Sequence, residues 1–406
     1  VPGPFSHLRV LDISRILAAP LAAQNLADLG AEVIKIEKPG SGDDTRTFGP
    51  PWMKDRDGSD TRESAYFLAG NRNKKSVTLD IATPEGQALV RELVKVSDVL
   101  IENYKVGNLK RYGLSYEDLQ PLNPGLIYCS VTGFGQDGPY AERPGYDFIF
   151  QGMGGMMSIT GERDGLPGGG PQKVGIPIVD YLTGLNASIA LCAAIAHRER
   201  TGEGQYIDCA LLDMAVAVNV TQVISHFCDD SVPKRLGNGH PHIVPYQVFA
   251  TADGHMILAV ANDAQFRRFC KAAGREELAD DPRFTTNSGR VIHRDELLPI
   301  LRDIMAAHPK AWWQDRLEAV EVACGPINDI REVFEDPQVK HRGLRVDMPH
   351  PQGTAPMVAS PLRLSRTPVT YHSPPPLLGE HTQQVLRDVL GLAQSELDAL
   401  AAARVI

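Results

Sequence analysis

No Cys-x-x-Cys pair occurs in the 406-residue sequence, whose six cysteines, Cys129, Cys192, Cys209, Cys228, Cys270 and Cys324, are scattered through apolar or mixed segments. Such scatter argues against a metal cluster or a disulfide framework and for a reducing, cytoplasmic compartment. Positive charge is not in excess: 41 Lys and Arg face 50 Asp and Glu, a net charge of −9. That balance favours neither nucleic acid nor an anionic membrane as a partner. No apolar run reads as a membrane span, because the longest, Leu185 to Ala196, contains Asn186 and Ser188 and stops at His197-Arg-Glu-Arg200. The opening residues, Val1-Pro-Gly-Pro-Phe-Ser-His7, lack the basic-then-apolar pattern of a secretory signal, although they are compatible with a processed organellar targeting peptide. Repeats and low-complexity tracts are missing. His240 and His242 lack an accompanying acidic or Cys cluster, so they read as a turn before a strand, and no metal site is expected.

What is present points to an α/β protein. Leu8–Ile13, Ala31–Glu37, Asp98–Asn103 and Leu126–Thr132 read as buried strands, separated by helix-length segments. Pro20 to Leu29, closed by Gly30, has Pro at its start and Gly at its end, as helices prefer. Thr83-Pro84-Glu-Gly opens a second helix running to Lys95. This alternation predicts a doubly wound parallel sheet with its ligand at the carboxyl ends of the strands. A polar stretch from Pro39 to Lys75 reads as one long loop, and loops of that length are usually functional. After Asp213 the texture changes. Tyr246–Thr251 and Met256–Val260 read as a hairpin, followed by helical patterns at Gln265–Ala273 and Arg294–Ala307. The expected organisation is a large α/β domain over 1–212, a linker over 213–236 and a small α+β domain over 237–328. A second linker over 329–345 then leads into 346–406, which returns to the large domain.

The segment Val174-Gly-Ile-Pro-Ile-Val-Asp180 places one carboxylate immediately before a long Ala-rich helix. Asp180 there is expected either to cap the helix or to be a poised nucleophile, with N–H groups of the first turn stabilising charge on a bound carbonyl. Gly133-Phe-Gly135-Gln-Asp-Gly138 has dinucleotide-binding spacing. It continues into Pro139 and Pro144, however, which cannot be the helix that receives a pyrophosphate.

These pieces resemble the class III coenzyme A transferase family, which includes formyl-CoA:oxalate and carnitine CoA-transferases. The resemblance rests on Leu11-Asp-Ile-Ser-Arg-Ile-Leu-Ala-Ala-Pro20, Leu29-Gly-Ala-Glu-Val-Ile-Lys-Ile-Glu-Lys-Pro-Gly40 with Gly42-Asp43, and Asn71-Arg-Asn-Lys-Lys-Ser-Val-Thr-Leu-Asp80. Val99–Tyr104, Arg143-Pro-Gly-Tyr-Asp147, Thr201–Asp208 and Leu378-Gly-Glu-His-Thr382 continue it in the same order. It implies that Asp180 is a covalent nucleophile and that Leu17, Ala18, Lys38, Leu79, Asn103, Tyr104 and Arg111 contact CoA. It further implies that acyl-CoA and an organic acid are the partners, that no cofactor stays bound, and that two chains form an interlocked-ring homodimer. This sequence departs from the formyl-CoA type in three places. Lys38 stands where relatives often carry Arg, Ala82 replaces a Lys, and Gly237-Asn-Gly-His-Pro241 replaces a run of glycines.

Two rival readings share the resemblance. An α-methylacyl-CoA racemase needs a His in a Gly-His-Asp motif, but this chain has Gly145-Tyr146-Asp147. Tyr, with an unperturbed pKa of about 10, is a poor proton shuttle at neutral pH. An inactive CoA-binding protein is the other reading, and Asp180 argues against it. The donor implied is a short dicarboxyl-CoA such as succinyl-CoA.

Overall fold

A computed structural model describes residues 2–406. Six strands form its main sheet: β1 (Arg9–Asp12), β2 (Glu32–Glu37), β3 (Lys74–Thr78), β4 (Val99–Glu102), β5 (Ile127–Thr132) and β6 (Tyr206–Ala210). All pairings are parallel, in the spatial order β3-β2-β1-β4-β5-β6. Both faces are covered, so β4 and β5 are buried at every residue and read as mainly apolar runs. The strand order reverses between β1 and β4, which opens a crevice at their carboxyl ends.

Four helices position the site. Helix α1 (Ala18–Asp28) follows β1 and carries Pro20 in its first turn. Helix α2 (Pro84–Lys95) starts as expected, with the Thr83 hydroxyl accepting the Gly86 N–H. The short α3 (Asp147–Met153) precedes the long α4 (Ile178–Thr201). Helix α4 lies close against α1 because Gly184 has no side chain; a Cβ there would sit 2.6 Å from the Ala18 carbonyl oxygen. By length and composition alone α4 is apolar enough to cross a membrane, which corrects the reading that no segment approaches a span.

Two strands lie outside the expected series, β3 and β6. The expected loop from Pro39 to Lys75 is also more structured than its polarity suggests. It holds a 3₁₀ turn (Asp44–Thr47), a hairpin of Trp52–Lys54 with Asp60–Ser64, a helix (Ala65–Ala69) and the start of β3. Several of its charges are buried in ion pairs, among them Asp43 with Lys35, Arg46 with Glu37 and Arg72 with Asp28. The fully buried Lys74 ammonium lies 2.9 Å from Asp12 and also donates to the Pro20 carbonyl at 2.8 Å. Burial nevertheless pulls the Lys74 pKa down to about 8, with the Asp12 charge opposing it.

The chain divides into two compact units. The first comprises the residues up to Gly155, Val174–Val220 and Gln338–Ile406, and it contains the parallel sheet. Its final segment supplies core residues, with Val385, Leu386 and Leu397 packed among Leu11, Val90 and Leu100. The second unit, Met156–Lys173 and Thr221–Pro337, has an antiparallel sheet of Tyr246–Thr251, Gly254–Ala259 and Ala323–Pro326. Helices Asp263–Ala272, Arg294–Ala306 and Lys310–Ala319 close its core around Phe266, Phe269 and Trp313.

Candidate active site

A cavity of about 300 Å³ opens at the carboxyl ends of β1, β4 and β5, where the strand order reverses. Arg15–Ala18 enter it after β1, Asn103 and Tyr104 after β4, and Thr132 and Gly133 from the end of β5. Asp180 lines the same cavity, with Arg143–Tyr146 on another side.

Asp180 does not cap its helix, contrary to the first of the two expectations. It is the third helical residue of α4, behind Pro177 at the N-cap position. The cap comes from Asp147 at the start of α3, whose Oδ1 accepts the N–H groups of Val179 at 2.7 Å and Asp180 at 3.2 Å. Gln151 holds Asp147 in place, donating Nε2–H to its other oxygen at 2.6 Å while its Oε1 accepts the Val174 N–H at 2.8 Å. Those two N–H groups of α4 are therefore occupied and unavailable to a bound carbonyl, which corrects that part of the sequence reading. The consequence for Asp180 is chemical. Its half-buried carboxyl is pushed up to about 7, first by burial and then by the neighbouring Asp147 charge. Tyr66 stands close enough to feel Asp180, and burial together with that charge pushes its phenol up to about 12. A phenol that keeps its proton is a hydrogen-bond donor at neutral pH.

The residues assigned to CoA by resemblance separate into groups. Leu17, Ala18, Asn103 and Tyr104 line the first cavity with Asp180. Lys38, Leu79 and Tyr104 line an adjoining cavity of about 440 Å³, and Ala82 borders it too. Arg111 lines neither; its guanidinium donates to Asn108 Oδ1 at 2.6 Å, and Asn108 borders both cavities. The Asn103 side chain is engaged with the Arg15 backbone, accepting its N–H at 2.9 Å and donating to its carbonyl at 2.6 Å. Beneath Tyr104, Glu102 accepts the Tyr104 N–H at 2.7 Å and bonds the Ser130 hydroxyl, and burial pushes its carboxyl up to about 7. Asp147, Tyr66 and Glu102 are parts of the site that sequence reasoning missed. For Asp147 a signal existed, the Tyr146-Asp147 match, but nothing in it pointed to α4.

A carboxylate released from capping, at the open edge of a parallel sheet, marks an α/β enzyme that works on a ligand held in the crevice. The model of CoA-transferase family III matches residues 5–382, and the chain belongs to that family. It is 51% identical over 391 residues to the succinate–glutarate CoA-transferase of Agrobacterium fabrum, covering 95% of this chain and 96% of that one. The succinyl-CoA:glutarate CoA-transferase of Mus musculus is 42% identical over 404 residues, covering 99% of this chain and 90% of that one. A crystal structure of a CAIB/BAIF family protein from Brucella suis superposes with a TM-score of 0.84 at 46% identity, covering 96% of this chain and all of that one. The protein is thus a CoA-transferase, and CoA thioesters are its substrates.

Proposed function

We propose that the protein moves CoA from succinyl-CoA, or another dicarboxyl-CoA, to a carboxylic acid such as glutarate through a covalent aspartyl-CoA intermediate on Asp180. The observation that carries this reading is the Asp180 carboxylate, relieved of capping by Asp147 and facing the cavity. The activities of the relatives supply the substrate class.

The chemistry balances without an added reagent. An Asp180 oxygen attacks the thioester carbonyl, the C–S bond breaks, and a mixed anhydride and CoA thiolate result. The thiolate then attacks the Asp180 carbonyl carbon, the anhydride C–O bond breaks, and the donor leaves as its carboxylate. The acceptor carboxylate reverses the two steps. Every intermediate is an activated acyl group, so excluding water is the chief requirement. Helix α1 begins at Ala18 with no side-chain cap, which makes the N–H groups of Ala18 and Ala19 donors available to a developing oxyanion.

The transfer reading is tested by offering acyl-CoA donors with a panel of free acids. Acid-dependent CoA transfer with ping-pong kinetics is expected. Rapid exchange of an α-hydrogen of a 2-methylacyl-CoA with deuterated water, without such transfer, would establish the racemase instead. Tyr146 speaks for the transferase, because it stands in the cavity where a racemase would carry its His.

A carboxylate nucleophile must be ionised, so kcat/KM is expected to fall about tenfold per pH unit below the Asp180 pKa of about 7 and to level off above it. Asp147→Asn removes the like charge and lowers that pKa, moving the limb to lower pH. A limb that stays in place in Asp147→Asn rejects the coupling.

The assembly we propose is the interlocked homodimer. Exposed apolar side chains support it: Phe148, Ile149 and Met153 on α3, and Leu185 and Ile189 on α4. The compartment proposed is the cytoplasm, in keeping with six free cysteines.

A further inference from the structure

Ile16 adopts a left-handed backbone conformation, with φ of +73°. A β-branched residue is disfavoured there, because its Cβ crowds the following carbonyl oxygen, and it stays only where its surroundings over-determine it. Those surroundings are identifiable. Asp43 Oδ1 accepts the Ile16 N–H at 3.2 Å, together with the Thr45 N–H at 3.0 Å and the Thr45 hydroxyl at 2.8 Å. Asp43 Oδ2 faces the Lys35 ammonium at 3.0 Å, and Lys35 in turn donates to the Ser14 carbonyl at 2.8 Å. On the other flank Asn103 grips the Arg15 backbone at both of its polar groups. Asp43 and Lys35 are 1% and 0% exposed, so these bonds form out of water's reach, where they are strongest. Asp43 is itself anchored, donating its N–H to Glu37 at the end of β2.

The strained residue lies where the chain turns from β1 into α1. Ile16, Leu17 and Ala18 all line the cavity that holds Asp180. A relaxed, negative φ at Ile16 would redirect the next residues and move the start of α1 relative to Asp180. From these contacts we infer that Asp43 is a positioning residue of the transfer site. It holds Ile16 in the left-handed conformation and so fixes Leu17, Ala18 and the open end of α1 against the reacting groups. This inference rests on the reading of Asp180 as the nucleophile. Asp43 touches no reacting atom and acts only through Ile16 and the Lys35–Ser14 link.

Asp43→Asn tests it. Asn keeps an acceptor oxygen but loses the ion pair with Lys35 and sets an amide N–H₂ near that ammonium. With the folded variant assayed well below its melting temperature, kcat is expected to fall by about tenfold or more with little change in the KM of the acyl-CoA, as when an interaction made in the transition state is lost. Hydrogen exchange of the backbone amides of residues 14–19 should quicken. Adding Ile16→Gly should restore part of kcat, because glycine takes positive φ without a Cβ penalty. A purely structural role for Asp43 predicts a lower melting temperature, normal kcat in the folded fraction and no rescue. Normal kcat with unchanged amide exchange in Asp43→Asn, beside an active wild type, overturns the inference alone. Normal transfer by Asp180→Ala overturns the functional reading and the inference with it.

Discussion

Asp180→Ala is expected to abolish CoA transfer, lowering kcat by at least about a thousandfold while CoA still binds, because the residue that would form the covalent intermediate is gone. Incubation with donor acyl-CoA followed by hydroxylamine should modify Asp180 and no other carboxylate. The same site makes a separable claim about stability. The folded Asp180 pKa of about 7 lies above the roughly 3.9 of an unfolded Asp. Below the unfolded value both states are protonated and burial of the group costs nothing on this account. As pH rises toward 7 the unfolded chain releases its proton first, and stability is lost; above 7 the loss is complete. Asp180→Asn should therefore melt at a higher temperature than the wild type at pH 8, with the advantage disappearing near pH 4. Near-normal turnover by Asp180→Ala would sink the mechanism.

The second large effect concerns assembly. The proposed interlocked homodimer is expected to persist at nanomolar concentration and to dissociate only as it unfolds, because chains threaded through one another cannot part while both stay folded. The exposed faces of α3 and α4 give this a physical basis. Each large apolar side chain kept in water forgoes up to roughly 1.5–3 kcal/mol relative to full burial. Ile189 at 66% exposed and Phe148 at 54% are two such residues. Sedimentation across a dilution series decides the matter: a folded monomer at low concentration contradicts the linked architecture.

How much of this was legible in the sequence varies element by element. The strands β1, β2, β4 and β5 announce themselves, since burial on both faces gives each a run of Val, Leu and Ile dense enough to stand out despite the charges at Asp12 and Lys35. Strand β3, Lys-Lys-Ser-Val-Thr, does not, because its Lys74 is buried against Asp12, 62 positions earlier. An apolar count is blind to a charge whose partner arrives through tertiary structure. Strand β6 lies at the sheet's edge, is only partly buried, and gives a correspondingly weak signal. Asp180 stood out through its place before the helix and its match to a family. What relieves it of capping could not be read, because Asp147 sits 33 positions away and the bond appears only once α3 and α4 meet. Tyr66 was hidden for another reason: it belongs to a polar stretch that reads as loop but folds into a turn, a hairpin and a helix.

The division of the chain bears on the order in which it can fold during synthesis. The second unit is drawn from a stretch that ends at Pro337, so all of its residues are synthesised before the last segment of the first unit, Gln338–Ile406. The first unit must wait. Val385, Leu386 and Leu397 pack among the side chains of the sheet, and the Val405 carbonyl accepts the Asp80 N–H that follows β3. Until those late residues emerge, the apolar face they cover stays open to water, to chaperones and to neighbouring nascent chains. A ribosome stalled after residue 337 has cleared the exit tunnel but before Val385 is made should carry a protease-resistant second unit, while the parallel sheet is still vulnerable.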